Sequence, residues 1–142
     1  MRLGVIAALA APTIVVAGGF LWLSTAGGPG SAGAGIYAEH CSACHGAALE
    51  GQPDWRSRKP DGRLPAPPHD ASGHTWHHSD DQLFRIVKEG TAALAPPGYV
   101  SDMPGFSGVL TDRQIRDVLA YIRSTWPSDI QARQQQISRA AR

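Results

Sequence analysis

Two cysteines are all that this 142-residue chain contains, and both fall in one pentapeptide, Cys41-Ser42-Ala43-Cys44-His45. This C-x-x-C-H spacing constrains the fold more than any other feature, because it sets two thiols one helical turn apart with an imidazole directly after them. A thioredoxin-like redox disulfide needs a βαβ setting, and no stretch of the chain alternates as a strand would. A structural zinc needs two further ligands, and no second cysteine pair provides them. The chemistry that remains is covalent haem attachment. The two thiols add to the vinyl groups of one porphyrin, and the His45 imidazole lies under the iron as its proximal ligand.

The amino-terminal part bears on where such an attachment takes place. Arg2 is the only charged residue before Glu39, and residues 3–23 run for 21 positions without an ionisable group. As a helix that stretch spans about 31 Å, the thickness of a bilayer core. A cleaved secretory signal is the rival reading, with Ser24-Thr25-Ala26 as its cleavage site. The length of the apolar stretch and an interfacial Trp22 favour a retained anchor, and Pro12 and Gly18-Gly19 are tolerated in membrane helices. Because Arg2 precedes the span and the next Lys or Arg is Arg56, the amino terminus is expected in the cytoplasm and the remainder on the periplasmic side of a bacterial inner membrane. Either reading exports the remainder, and haem is joined to such motifs outside the cytoplasm. Setting Arg2 aside leaves 12 basic against 12 acidic residues, a neutral balance that gives no sign of a nucleic-acid binder.

The organisation expected is a signal-anchor over residues 1–26, a flexible Gly-rich tether over 27–35, a haem domain over 36–127 and a polar helix or tail over 128–142. The domain reads as all-α. A first helix runs from about Ala34 into the cysteine motif, with Ile36, Tyr37 and His40 on one face. Ser79 to Gln82 and Thr111 to Gln114 are capping boxes, opening apolar runs through Leu83, Phe84, Ile86 and Val87 and through Ile115, Val118, Leu119 and Ile122. Gly90 closes the first of these helices, and the second stops near Trp126-Pro127. Residues 52–79 and 91–110 are loops too long for so small a domain unless they wrap around something, which a large apolar cofactor supplies.

With these residues in view, a family resemblance is plain. Gly33, Tyr37, Cys41, Cys44 and His45, at their intervals, resemble the start of class I c-type cytochromes, and Val118, Tyr121 and Ile122 resemble that family's last helix, which crosses the first at the small residue. The resemblance covers roughly residues 31–127. It implies a cytochrome c fold of three to four helices wrapped around one haem, preceded here by one transmembrane helix. Independently of the family, Gly33 lets another helix approach closely, and Tyr37 with Tyr121 offers large flat surfaces for the contact.

Met103 is the expected sixth ligand. The chain has two methionines, Met1 lies across the membrane, and Ser101 to Phe106 resembles the family's methionine loop, stiffened by Pro96, Pro97 and Pro104. The competitor is histidine, since His69, His74, His77 and His78 cluster within ten residues. They could ligate the iron, bind copper or zinc, or simply seat the loop and a haem propionate. The resemblance also implies a proline carbonyl that takes the proximal imidazole N–H, with Pro65 or Pro67 in that place. Trp76 and Trp55 are candidates to line the haem. The expected haem-binding set is therefore Cys41, Cys44, His45, Met103, Tyr37, Pro67 and Trp76, with His45 and Met103 on the iron and no catalytic residue.

An iron with two protein ligands has no open position for substrate, so the expectation is an electron carrier rather than an enzyme. Its partners by family analogy are a cytochrome bc complex, a terminal oxidase or a dehydrogenase. The alternatives are a fixed haem subunit of a larger membrane oxidoreductase, a ligand-binding haem protein and a metal-handling module. Arg56, Arg58, Lys59 and Arg63 crowd into eight residues of loop and are expected to steer docking to an acidic partner.

Overall fold

Gly33 has no side chain, and the fold uses that absence where two helices cross. In the computed structural model, which describes residues 29–142, helix α1 (Pro29–His40) lies across helix α5 (Asp112–Ser124). A Cβ on Gly33 would sit 2.2 Å from the Asp117 carbonyl oxygen and 2.7 Å from Tyr121 Cβ. Beside this contact the Tyr37 and Tyr121 rings pack with centres 5.6 Å apart at 54°, so the close approach is filled by flat apolar surface.

The crossing also explains why residues before Ala34 are helical. Backbone is already helical at Pro29, the first described residue, rather than from about Ala34, so residues 29–35, expected in the tether, are helical. Glycine-rich sequence is a poor helix former alone, but Gly33 gains its partner only if the helix extends back to meet α5. Tertiary contact overrides local propensity here. The expected anchor over residues 3–23 lies outside the described residues. Among the described residues no helix is long and apolar enough to cross a membrane.

The other elements are α2 (Ser42–His45), α3 (Asp80–Glu89), α4 (Thr91–Leu94) and α6 (Ser128–Ala140), with a single 3-10 turn at Thr75–His77 and no strand among the described residues. Thr111 caps α5 through a complete capping box with Gln114. At α3 only half the device forms: Ser79 accepts from the Gln82 backbone N–H, and Gly90 closes the helix at φ +88°. Both helices turn strongly apolar faces inward, α5 burying Ile115, Val118, Leu119 and Ile122.

Those faces do not form one continuous core. One cluster gathers Tyr37, Leu49, Val118, Ile122 and Trp126, another Leu83, Leu110, Ile115 and Leu119, and Ile36 packs against both. A cleft divides them.

Helix α6 is the element whose packing departs furthest from its sequence pattern. Expected as a surface helix or frayed tail, it buries Gln134 completely and Ser138 almost so. Gln134 Nε2 donates to Asp80 Oδ1 at 2.8 Å, and Ser138 Oγ accepts the Asp80 backbone N–H at 3.0 Å. Asp80 also pairs with Arg123. The docked face of α6 is therefore polar and serves the orphan donors at the start of α3, a role that no apolar periodicity announces.

Replacing Gly33 by Val is expected to lower the unfolding free energy by about 1–3 kcal/mol through overpacking. Gly35, whose Cβ would meet nothing within 4 Å, is the control: Gly35→Ala is expected to raise it by about 0.5–1 kcal/mol. Urea titrations of the two variants read both numbers.

Candidate functional site

The cysteine motif sits where α1 gives way to α2. Cys41 N and His45 N donate to the Tyr37 and Cys41 carbonyls, each at 2.9 Å, so the helical path continues through the motif. One turn then separates the two thiols. They are not joined as a disulfide, and burial together with the neighbouring Cys44 pushes the Cys41 thiol up to about 11. Catalytic C-x-x-C thiols are lowered rather than raised.

Behind the motif, Tyr37 anchors its end. The phenol donates to the Gly46 carbonyl at 2.9 Å and stands 3.3 Å from the His45 carbonyl. Ahead of it, two stretches of chain lie side by side: Gln52 N donates to Ala66 O and His69 N to Leu49 O, both at 2.8 Å. Gly51 makes this pairing possible, since at φ +68° a Cβ there would meet Pro68 N at 2.4 Å. The result presents the Pro67 carbonyl to His45 Nδ1 at 2.8 Å. Of the two prolines considered, Pro67 occupies this position.

A carbonyl can only accept, so the His45 proton resides on Nδ1 and Nε2 keeps its lone pair. Burial holds the His45 pKa below the ordinary histidine value, although the Pro67 contact opposes it. The ring is therefore neutral and able to bind a metal at neutral pH. His69 stacks on it with ring centres 3.9 Å apart. Burial and the adjacent His45 and His74 lower the His69 pKa well below the ordinary value, and its Nδ1 lies 2.9 Å from Thr75 Oγ1.

The cleft between the core clusters opens into a cavity of about 470 Å³, inside the usual range of roughly 300–1,000 Å³ for ligand pockets. Cys41, Cys44, His45 and Pro67 line it from one end of the fold and Met103 from the loop after α4. Leu83, Ile86 and Val87 of α3 and Val118, Leu119 and Ile122 of α5 supply apolar wall. Thr91 Oγ1 donates to Met103 Sδ at 3.3 Å, and Ser101 Oγ accepts the Met103 backbone N–H at 3.1 Å. Nothing in the apolar periodicity points to Thr91.

Two residues of the expected set do not line the cavity. Tyr37 stands behind the motif as its anchor, and Trp76 is turned away, stacked on His77 at 3.7 Å beneath the Arg133 guanidinium of α6. Trp55 is the indole in the wall, with His74 stacked against it at 5.2 Å. His69 stacks on His45, His74 on Trp55 and His77 on Trp76, while His74 and His78 pack edge to face at 5.3 Å, and His69, His74 and His78 all line the cavity. Among the described residues no group of three or more His, Cys, Asp or Glu side chains could hold a metal ion. The basic loop is not wholly outward-facing either, because Lys59 and Arg63 both pair with Asp102.

The family model for cytochrome c matches residues 30–126. The chain belongs to the cytochrome c family. As a cytochrome c domain it carries electrons on covalently bound haem, and its residues fit that group: two unbridged thiols one turn apart, a neutral imidazole with Nε2 uncommitted, a thioether and an apolar cavity between them. A nicotinate dehydrogenase subunit of Pseudomonas putida is 44% identical to this cytochrome c over 68 residues, covering 45% of the chain and 6% of that protein's length. No solved structure matches the chain.

Tyr37→Phe leaves the Gly46 carbonyl of this cytochrome c domain without its phenolic donor. We expect it to lower the unfolding free energy by about 1 kcal/mol, read in a urea titration beside the unmodified chain.

Proposed function

We propose that this cytochrome c domain is a membrane-tethered carrier of single electrons, in which Cys41 and Cys44 would join one haem and His45 and Met103 would hold its iron. The observation that carries the reading is the His45–Pro67 contact at 2.8 Å, which orients the imidazole and leaves Nε2 for a metal in the cavity that Met103 also lines. When bound, haem supplies reversible one-electron chemistry. With His45 and Met103 both holding the iron, no open position would remain for oxygen or peroxide, and the bound group would serve electron transfer. The soft thioether of Met103 favours the reduced state and a raised potential. The apolar side chains of α3 and α5 would shield the bound group from water and lower its local dielectric.

Residues 3–23, uncharged throughout, support an anchor that keeps the domain at the periplasmic face of a bacterial inner membrane. The partners proposed are a cytochrome bc complex as donor and a terminal oxidase as acceptor. A second reading, a fixed haem subunit of a larger membrane oxidoreductase, is favoured by the similarity to a nicotinate dehydrogenase subunit. Stoichiometric co-purification with a dehydrogenase separates that reading from a mobile carrier.

Mass spectrometry of the protein matured in a periplasm is expected to find the polypeptide plus one haem, with the pigment retained in acidified organic solvent. Cys41→Ala/Cys44→Ala should release it. An unmodified mass, or extractable pigment in the unmodified protein, overturns the proposal. Met103→Ala is expected to turn a reduced protein that resists carbon monoxide into one that binds it readily, as read in the absorption spectrum.

A further inference from the structure

The chain on either side of Met103 is held very unequally. Downstream, Phe106 N and Ser107 N donate to the Val87 and Lys88 carbonyls at 3.0 and 3.1 Å, and a Cβ on Gly105 would meet the Glu89 carbonyl carbon at 2.7 Å. That arm is fastened to the end of α3. Upstream, residues 96–102 make one backbone–backbone hydrogen bond among the described residues, from Tyr99 N to Pro96 O at 3.1 Å. The upstream arm has to be held by side chains.

The basic turn at residues 58–63 meets it. Its shape is set internally: Lys59 N donates to Arg63 O at 2.8 Å, Gly62 N to Lys59 O at 2.9 Å, and Arg63 N to Asp61 Oδ1 at 2.9 Å. Gly62 supplies the positive φ, +82°, that the turn requires. Folded this way, the turn places Lys59 and Arg63 side by side toward Asp102, with Arg63 also paired through Nη1 to Asp61 Oδ2 at 3.2 Å inside the turn. Lys59 Nζ lies 3.5 Å from Asp102 Oδ2, and Arg63 Nε lies 2.9 Å from Asp102 Oδ1. Next to them the Arg58 guanidinium lies 5.4 Å from the centre of the Tyr99 ring. Asp102 directly precedes Met103 in the chain, and both it and Lys59 stand on the rim of the cavity.

We propose that the basic turn 58–63 is a clasp on the methionine loop, and that Asp102 is the positioning residue that holds Met103 Sδ at the haem. The clasp rests on the proposed ligation by Met103. It assigns Lys59 and Arg63 to the protein's own loop rather than to a partner's surface. Because the pairs are partly exposed, the clasp is weak enough to be loosened by salt. Opening of the upstream arm is then a local equilibrium, separate from unfolding of the helices.

The test uses the full haem-loaded chain and the variants Asp102→Asn, Lys59→Gln/Arg63→Gln and their combination. Two readouts report the ligand: carbon monoxide binding by the reduced protein, and the weak long-wavelength absorption of the oxidised protein that sulfur ligation produces. Asp102→Asn and the double Gln variant are each expected to raise the carbon monoxide-bound fraction at subsaturating gas about fivefold. Their combination should raise it no further, Asp102→Glu should largely restore it, and high salt should loosen the unmodified protein in the same direction. Helix unfolding followed by circular dichroism should be nearly unchanged. If Asp102→Asn matches the unmodified protein in both readouts, the clasp is overturned and Met103 ligation stands. A drop in the helix-unfolding midpoint with no change in gas binding makes Asp102 a fold contact only and overturns its positioning role. If the unmodified protein already lacks the long-wavelength band and binds gas freely, ligation by Met103 is overturned and the clasp goes with it.

Discussion

The contact between His45 Nδ1 and the Pro67 carbonyl, 2.8 Å long, is the constraint around which the rest of the domain is arranged. A ring nitrogen that must donate commits the imidazole to one tautomer, and this leaves the other nitrogen for a metal. Reaching that arrangement needs two distant stretches of chain in register. Gly51 admits Pro68 at a distance no side chain would tolerate, and the backbone bonds from Gln52 and His69 hold the two stretches together. Tyr37 secures the far end of the cysteine motif from the opposite side.

A second consequence concerns the core. Small all-α domains stabilise themselves by closing one apolar cluster, but here α3 and α5 present their apolar faces to a cavity, and two separate clusters remain on either side of it. The close crossing at Gly33 joins α1 to α5 independently of whatever fills that cavity. A flat apolar group inserted between the clusters would complete the core as well as do the chemistry. For that reason the stretches at 52–74 and 95–110 can be irregular: side chains such as Leu64 and Ala95 have a cavity surface to wrap.

Much of this was legible in the residues. The spacing of Cys41, Cys44 and His45 points to haem attachment, in keeping with the cytochrome c family match. Thr111 and Gln114 announce the start of α5, and Gly33 with Tyr37 and Tyr121 marks a crossing that the structure places where expected. Other features were hidden because their signal is not local. The choice of Trp55 over Trp76 for the cavity wall depends on which way a loop turns. Lys59 and Arg63 look like a solvated charge run until their turn is folded against Asp102, far along the chain. Gln134 sits in a polar run that reads as exposed, yet it is buried because its partner, Asp80, is brought to it from a distant part of the chain.

Sequence alone pointed to covalent haem chemistry, the helical class and the identity of the sulfur donor candidate, since each follows from residue type and short-range spacing. Tertiary structure alone decided which proline carbonyl orients the imidazole, that residues 29–35 are helical, which indole faces the cavity and what the basic loop and α6 hold. These depend on pairings between groups tens of residues apart. Hydrogen bonds and ion pairs act only within a few ångströms, so nothing in the linear order of the chain specifies them until the backbone has closed.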